Sequence, residues 1–206
     1  AAVNGMALTS LCLLSSKTQT MSESELKQAM GDFISLFKNV PFSADATIPD
    51  ASAKELFDDT LKLGKFEVEE DDYGRLISPK PKSAVYLTYY RNNILHLFAL
   101  PGLIMACVFA HKGTSKATVF QLIAALYPLL QRELFLHLSQ DEALTHTDAL
   151  IDALVDQGLL RVKEGDLLPP DAQQKQFHSA WLLSRCMQET LQRYAVTLAQ
   201  KVRDLM

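Results

Sequence analysis

Two stretches of this chain start and stop alike at a near-constant offset, and that spacing limits the available folds more than any other feature. Ser22-Glu23-Ser24-Glu25 is a capping box: the Ser22 hydroxyl takes a first-turn amide while Glu25 reaches back. Ser115 opens another helix 93 positions later. Gly64 and Gly158, each placed to end a helix in the left-handed conformation, stand 94 positions apart. A fixed offset of this kind argues for an internal duplication, so the architecture has to be built twice.

The first copy reads in order as helix, helix, helix, hairpin. Ala1 to Ser15 predicts a helix with Val3, Met6, Ala7, Leu11 and Leu14 as its apolar stripe. Residues 16–20 form a linker. The helix begun at Ser22 runs to about Asn39, with Leu26, Ala29, Met30, Phe33, Leu36 and Phe37 on one side, and Pro41 to Pro49 is an irregular connection. Ser52 and Glu55 make a second capping box, opening a short helix that stops at Gly64. Phe66 and Val68 alternate with Glu67 and Glu69, Arg75 to Ser78 supplies the return strand, and Asp71, Asp72 and Gly74 carry the turn.

In the second copy the helix from Ser115 presents Val119, Leu122, Ile123, Leu126, Leu129 and Leu130, with Pro128 expected to kink or split it. Thr147 is read as opening a helix that stops at Gly158. Leu159–Val162 and Leu167-Leu168 then flank the turn Lys163-Glu164-Gly165-Asp166. Two helices followed by a hairpin is the winged-helix order. A closing helix is expected from about Asp171 to Met206, through Trp181, Leu182, Leu191, Tyr194 and Leu198. The expectation is a mainly α chain with small β-hairpins (α+β), two winged-helix-like repeats joined by a central helix pair. Its divisions are 1–82 for the first unit, 83–112 for the central apolar helices, 113–170 for the second unit and 171–206 for the C-terminal helix.

The central stretch, Ser83 to His111, is the most apolar run, yet it carries a polar knot: Tyr89, Tyr90, Arg91, Asn92, Asn93 and then His96. Such groups are costly to bury alone, so covering protein has to satisfy them. TYYRNNILHLFALPGL resembles the C-terminal region of the membrane-bound glycerol-3-phosphate acyltransferases of bacteria. AAVNGMALTSLCLLS, VPFSADATIPDASAKELFDDTLKLGKFEVE, LYPLLQRELFL and ETLQRYAVT follow in the order that family shows, covering most of the chain. The chain begins Ala-Ala-Val-Asn with no charged leader, and reads as a piece of a longer polypeptide.

The resemblance implies a parent enzyme moving an acyl chain from acyl-CoA or acyl carrier protein to the 1-hydroxyl of glycerol 3-phosphate. It also implies attachment at the cytoplasmic face of the bacterial inner membrane, and an upstream catalytic domain of the same chain as partner. That family places catalysis on His-x4-Asp, the histidine deprotonating the glycerol hydroxyl. Here the fifth residue after His96 is Pro101, after His111 Lys116, after His146 Ile151 and after His178 Leu183. His137 comes nearest, with Asp141 one place short and Glu142 at the right spacing. The family's glycine- and arginine-rich phosphate block is missing too. No catalytic, metal-binding or cofactor-binding residue is assigned, and the stretch alone is predicted inactive.

The Tyr90, Arg91, Asn92, Asn93 and His96 cluster keeps two readings. Arg91 could offer a bidentate donor to a phosphate or carboxylate. Alternatively Asn92 and His96 pair along the helix and Arg91 ties the central helix to a wing or to the catalytic domain. Ile94 to Ala110 falls short of the ~20 residues a membrane span needs, so a packed helix broken at Pro101 is expected, with Leu103, Ile104, Val108 and Phe109 as a candidate lipid-facing patch.

The net charge of −4 gives no general attraction to nucleic acid or anionic lipid. Apolar residues make up 48% of the chain, enough for a core, and Cys12, Cys107 and Cys186 sit singly in apolar contexts as small core residues. The rival reading is a free-standing helical interaction module or winged-helix DNA-binding regulator. The helix before the second wing carries Asp148, Asp152 and Asp156 with no Lys or Arg, and the first wing tip is Glu69-Glu70-Asp71-Asp72. Because phosphate neutralisation dominates nucleic-acid affinity, no nucleic-acid partner is expected.

Overall fold

The computed structural model describes residues 2–43, 46–111, 113–193 and 195. Its first helix, α1 (Gly5–Ser15), has Asn4 as N-cap, with the Asn4 Oδ1 accepting from the Ala7 amide. It is buried on nearly every side rather than along one stripe: Ala7, Leu8, Leu11, Cys12 and Leu13 are all fully covered. A helix apolar all round belongs in the interior. Ser10 Oγ donates within the helix to the Met6 carbonyl at 2.7 Å, and Thr9 Oγ1 donates across to Met30 Sδ on the next helix at 3.7 Å. Gly5 lets α1 approach the next layer, since a Cβ there would lie 2.5 Å from the Leu56 carbonyl oxygen.

A two-residue strand, β1 (Met21–Ser22), leads into α2 (Glu23–Asn39), and α3 (Ala53–Lys62) follows. Both expected capping boxes form. Strands β2 (Phe66–Asp71) and β3 (Gly74–Pro79) make the wing, and β1 pairs with β3, so the sheet order is β1-β3-β2. After α4 (Ala84–Ile94), a 3-10 turn (Leu95–Phe98) and α5 (Ala99–Ala110), the scheme repeats. Strand β4 (Thr114–Ser115), α6 (Lys116–Glu133), α7 (Gln140–Asp156), β5 (Arg161–Lys163) and β6 (Asp166–Leu168) give the order β4-β6-β5. Helix, strand, two helices and two strands, with the first strand beside the last, is winged-helix topology in both copies. Each sheet therefore has three strands where the hairpin reading expected two. Helix α5 opens the second copy as α1 opens the first. The helix after each wing packs back on the opener: α4 on α1, and α8 (Phe177–Cys186) on α5.

Four other expectations are corrected. The helix assigned to Thr147 starts at Gln140, capped by Ser139 with Glu142 completing a third capping box, and Thr147 lies inside it, bonded to the Ala143 carbonyl. Of the kink or split expected at Pro128, the split does not occur: α6 runs unbroken through it. Proline removes the amide that would bond the Ala124 carbonyl, and Gln140 Nε2 donates to that oxygen instead, at 3.0 Å. The central run breaks at the 3-10 turn, not at Pro101, which sits in the first turn of α5 where a missing amide costs nothing. The closing helix begins at Phe177, is interrupted at Met187 and resumes over 188–193, and its expected continuation through Tyr194 and Leu198 to Met206 lies outside the described residues, as does Ala1.

Gly64 and Gly158 adopt φ of +67° and +74° at the ends of α3 and α7, as expected of left-handed caps. Helices make up 62% of the described residues. One contiguous apolar core runs through both copies, with Phe98 at its centre meeting Phe33 and Phe37 edge-on at 5.3 and 4.9 Å.

Candidate functional site: a buried arginine and its polar cleft

Arg91 stands on the last turns of α4, facing the junction of α1 with the residues after α8. Its side chain is only 8% exposed, and each donor atom that points away from the core finds an acceptor. Nη1 meets Glu189 Oε2 at 2.6 Å, and Nε and Nη2 share Asn92 Oδ1 at 3.2 and 3.1 Å. Beside it Arg185 Nε donates to the Ser15 carbonyl at 3.0 Å, one of the end-of-helix acceptors of α1, and its guanidinium stacks 4.9 Å over Trp181. Leu14, Ser15, Arg91, Arg185 and Glu189 line an open cleft of about 210 Å3.

The sequence cluster is thus divided. Arg91 and Asn92 act together, Tyr90 is half-buried, and Asn93 is exposed. His96 belongs elsewhere: its ring lies 6.2 Å from Phe42, which also receives His137 at 4.9 Å and His146 at 5.8 Å. Burial lowers the pKa of His96 and of His146, and the neighbouring His137 adds to both. No hydrogen bond joins Asn92 to His96 among the described residues, because Asn92 turns back to the guanidinium.

Sequence reasoning did not single out Glu189 or Arg185. Glu189 opens the ETLQRYAVT block and Arg91 lies in TYYRNN, so two blocks far apart in the sequence meet in one ion pair. Only the fold supplies that pairing, across 98 positions of chain.

This cleft is chemically quiet. Burial raises the thiol pKa of Cys12 and of Cys107, and that of Cys186 to about 12, so none offers a thiolate near neutrality. Among the described residues no group of three His, Cys, Asp or Glu is placed to hold a metal ion. The His137–Glu142 spacing builds no acid–base pair either: Glu142 is taken by the Ser139 amide at 2.7 Å as part of the helix cap. What the arrangement can do is fix position, since a buried guanidinium with directional acceptors tolerates little sliding between helices.

Residues 1–205 match the family described as glycerol-3-phosphate acyltransferase C-terminal region. A glycerol-3-phosphate acyltransferase from Alteromonas mediterranea is 78% identical over 96% of this chain, which covers 24% of that relative. Proteins of the same description from Pseudoalteromonas atlantica and Aeromonas hydrophila are 54% and 40% identical, over 96% and 97% of this chain and again 24% of their own length. The chain thus spans about a quarter of the curated relatives it matches. It belongs to the family of glycerol-3-phosphate acyltransferase C-terminal regions.

Proposed function

We propose that this segment is the non-catalytic C-terminal part of an enzyme that acylates the 1-hydroxyl of glycerol 3-phosphate. Acyl-CoA or acyl carrier protein supplies the acyl chain, and the enzyme sits peripherally on the cytoplasmic face of the bacterial inner membrane. The family match over nearly the whole chain carries this reading. It is supported by a site that holds helices in place and offers no activated nucleophile. The catalytic centre then lies in the preceding region of the same polypeptide, and this segment serves it as scaffold. In this reading Arg91 has a positioning role: Arg91→Ala lowers stability or yield and leaves KM for glycerol 3-phosphate unchanged in whatever enzyme folds.

The test is acyl transfer and membrane retention by the full-length enzyme with and without this region. Loss of either on truncation, with the isolated segment inert towards acyl donors, is the expected result. Full activity and retention in the truncated enzyme removes the scaffold role, and turnover by the isolated segment removes the whole reading.

A further inference from the structure

The residues nominated from sequence to face lipid are interior: Leu103, Ile104 and Val108 are fully buried in α5, and Phe109 packs against the core. The run from Ala84 to Ala110 is long and apolar enough to cross a membrane, but 72% of its most apolar window is buried in the protein. A different surface carries the features a bilayer would select. On α4, Val85, Tyr86 and Tyr89 are 80%, 53% and 62% exposed, and their spacing puts them on one outward face. Leu63, 57% exposed, caps the end of α3 two residues before Lys65.

Lysines frame these apolar residues. Lys65 Nζ lies 4.7 Å over the Tyr86 ring, and the Lys80 amide donates to the Lys65 carbonyl at 3.1 Å, which holds the two lysines side by side at the base of the wing. Lys82 precedes α4 by two positions and is exposed, and Lys62 completes the group with its charge shared by Asp59. Glu67 is the nearby acid on β2. The four acids Glu69, Glu70, Asp71 and Asp72 crowd the far tip of the same hairpin, roughly 17 Å away at the ~3.3 Å rise of each strand residue. So the hairpin is basic where it meets α4 and acidic at its free end, within a chain whose net charge is −4.

We propose that the face formed by Leu63, Lys65, Lys80, Lys82, Val85, Tyr86 and Tyr89 rests on the anionic headgroup surface of a bilayer. Tyrosine prefers the headgroup layer, where its ring is dry and its hydroxyl wet. Lysines beside it meet the negative lipid charge while their stems lie along apolar surface. The acidic wing tip, repelled by the same charge, points away and sets the orientation. This rests on the reading of the parent enzyme as membrane-associated and names the surface that makes the contact.

The experiment uses the full-length protein and vesicles of phosphatidylethanolamine and phosphatidylglycerol, with a spin label at Val85→Cys or, as reference, at Tyr73→Cys on the wing. The expected result is that vesicles shield the label at 85 from a water-soluble relaxation agent and leave the label at 73 accessible. Replacing Lys65, Lys80 and Lys82 by glutamine should also weaken vesicle binding, by roughly fivefold for each charge removed, without changing acyl transfer in detergent. Shielding at 85 before lipid is added would assign the face to a protein contact and overturn the proposal. So would equal accessibility at both labels on bound vesicles, or unaltered binding by the triple variant. Each of these results leaves the acyltransferase reading standing, because activity is measured separately.

Discussion

Arg91 and Glu189 are unequal partners, and the inequality is measurable. The arginine side chain is 8% exposed and the glutamate 58%. Removing the arginine leaves a carboxylate that water can reach, whereas removing the glutamate strands a buried cation. Glu189→Ala should therefore destabilise the protein at least as much as Arg91→Met, by about 1–2 kcal/mol, less than the ~3–5 kcal/mol for breaking a fully buried pair because Glu189 is 58% exposed and screened by water. Urea midpoints of the two variants decide it, and a cheaper Glu189→Ala would mean that Arg91 finds another acceptor. The histidines about Phe42 give a pH dependence with a definite sign. Burial holds His96 and His146 below their usual pKa, with His137 contributing to both. Unfolding lets each bind a proton that the folded state resists, so this contribution to stability is intact above about pH 6.5 and is lost as pH falls below it. Stability measured from pH 7.5 to 5 should decline, and His96→Gln with His146→Gln should flatten the decline.

At the scale of elements, the second copy departs from the first in its shorter wing strands and in how its two middle helices are joined. The α2–α3 connection is a long loop, while α6 and α7 are joined by a short one and α7 is correspondingly longer. The offset that aligns Ser22 with Ser115 therefore points to the neighbourhood of Thr147 and passes over the capping box at Ser139. Pro128 is the other local irregularity, and it is tolerated because Gln140 supplies the missing donor. Gln140→Ala should cost about 1 kcal/mol, the typical net worth of one hydrogen bond. Pro128→Ala should instead stabilise, since it restores an amide to that carbonyl and relieves the ring's clash with the preceding turn. Thermal melts of the two variants, moving in opposite directions, check both. The strands β1 and β4 were not legible because two residues cannot display a period of two. They exist because each wing's return strand has an edge for Met21–Ser22 or Thr114–Ser115 to pair with.

For the whole molecule, the duplicated units share their core and are tied at several points. Phe98, from the turn between α4 and α5, packs on two phenylalanines of α2. Ser179 on α8 donates to Asp32 on α2 at 2.6 Å, and burial raises the pKa of that carboxyl. Such sharing predicts one cooperative unfolding transition. Ile123→Ala in the second unit, a cavity worth about 2–5 kcal/mol, should accelerate exchange of the slowest amides in α1 as much as those in α6. Acceleration confined to α6 would show that the copies unfold separately.

The sequence by itself determined the local punctuation: the serine–glutamate caps, the left-handed glycines, the wing turns and the twofold order of elements. Each of those rests on a few adjacent residues whose backbone chemistry has one economical outcome. Only the tertiary structure decided which apolar residues face outward and which charges meet. Hydropathy ranks α5 above α4 for contact with lipid, yet α5 is apolar all round because it is enclosed, and α4 shows tyrosines because, among the described residues, nothing covers that side of it. The same holds for Arg91 with Glu189, whose partnership depends on how α4 and the chain after Cys186 are brought together by everything packed between them.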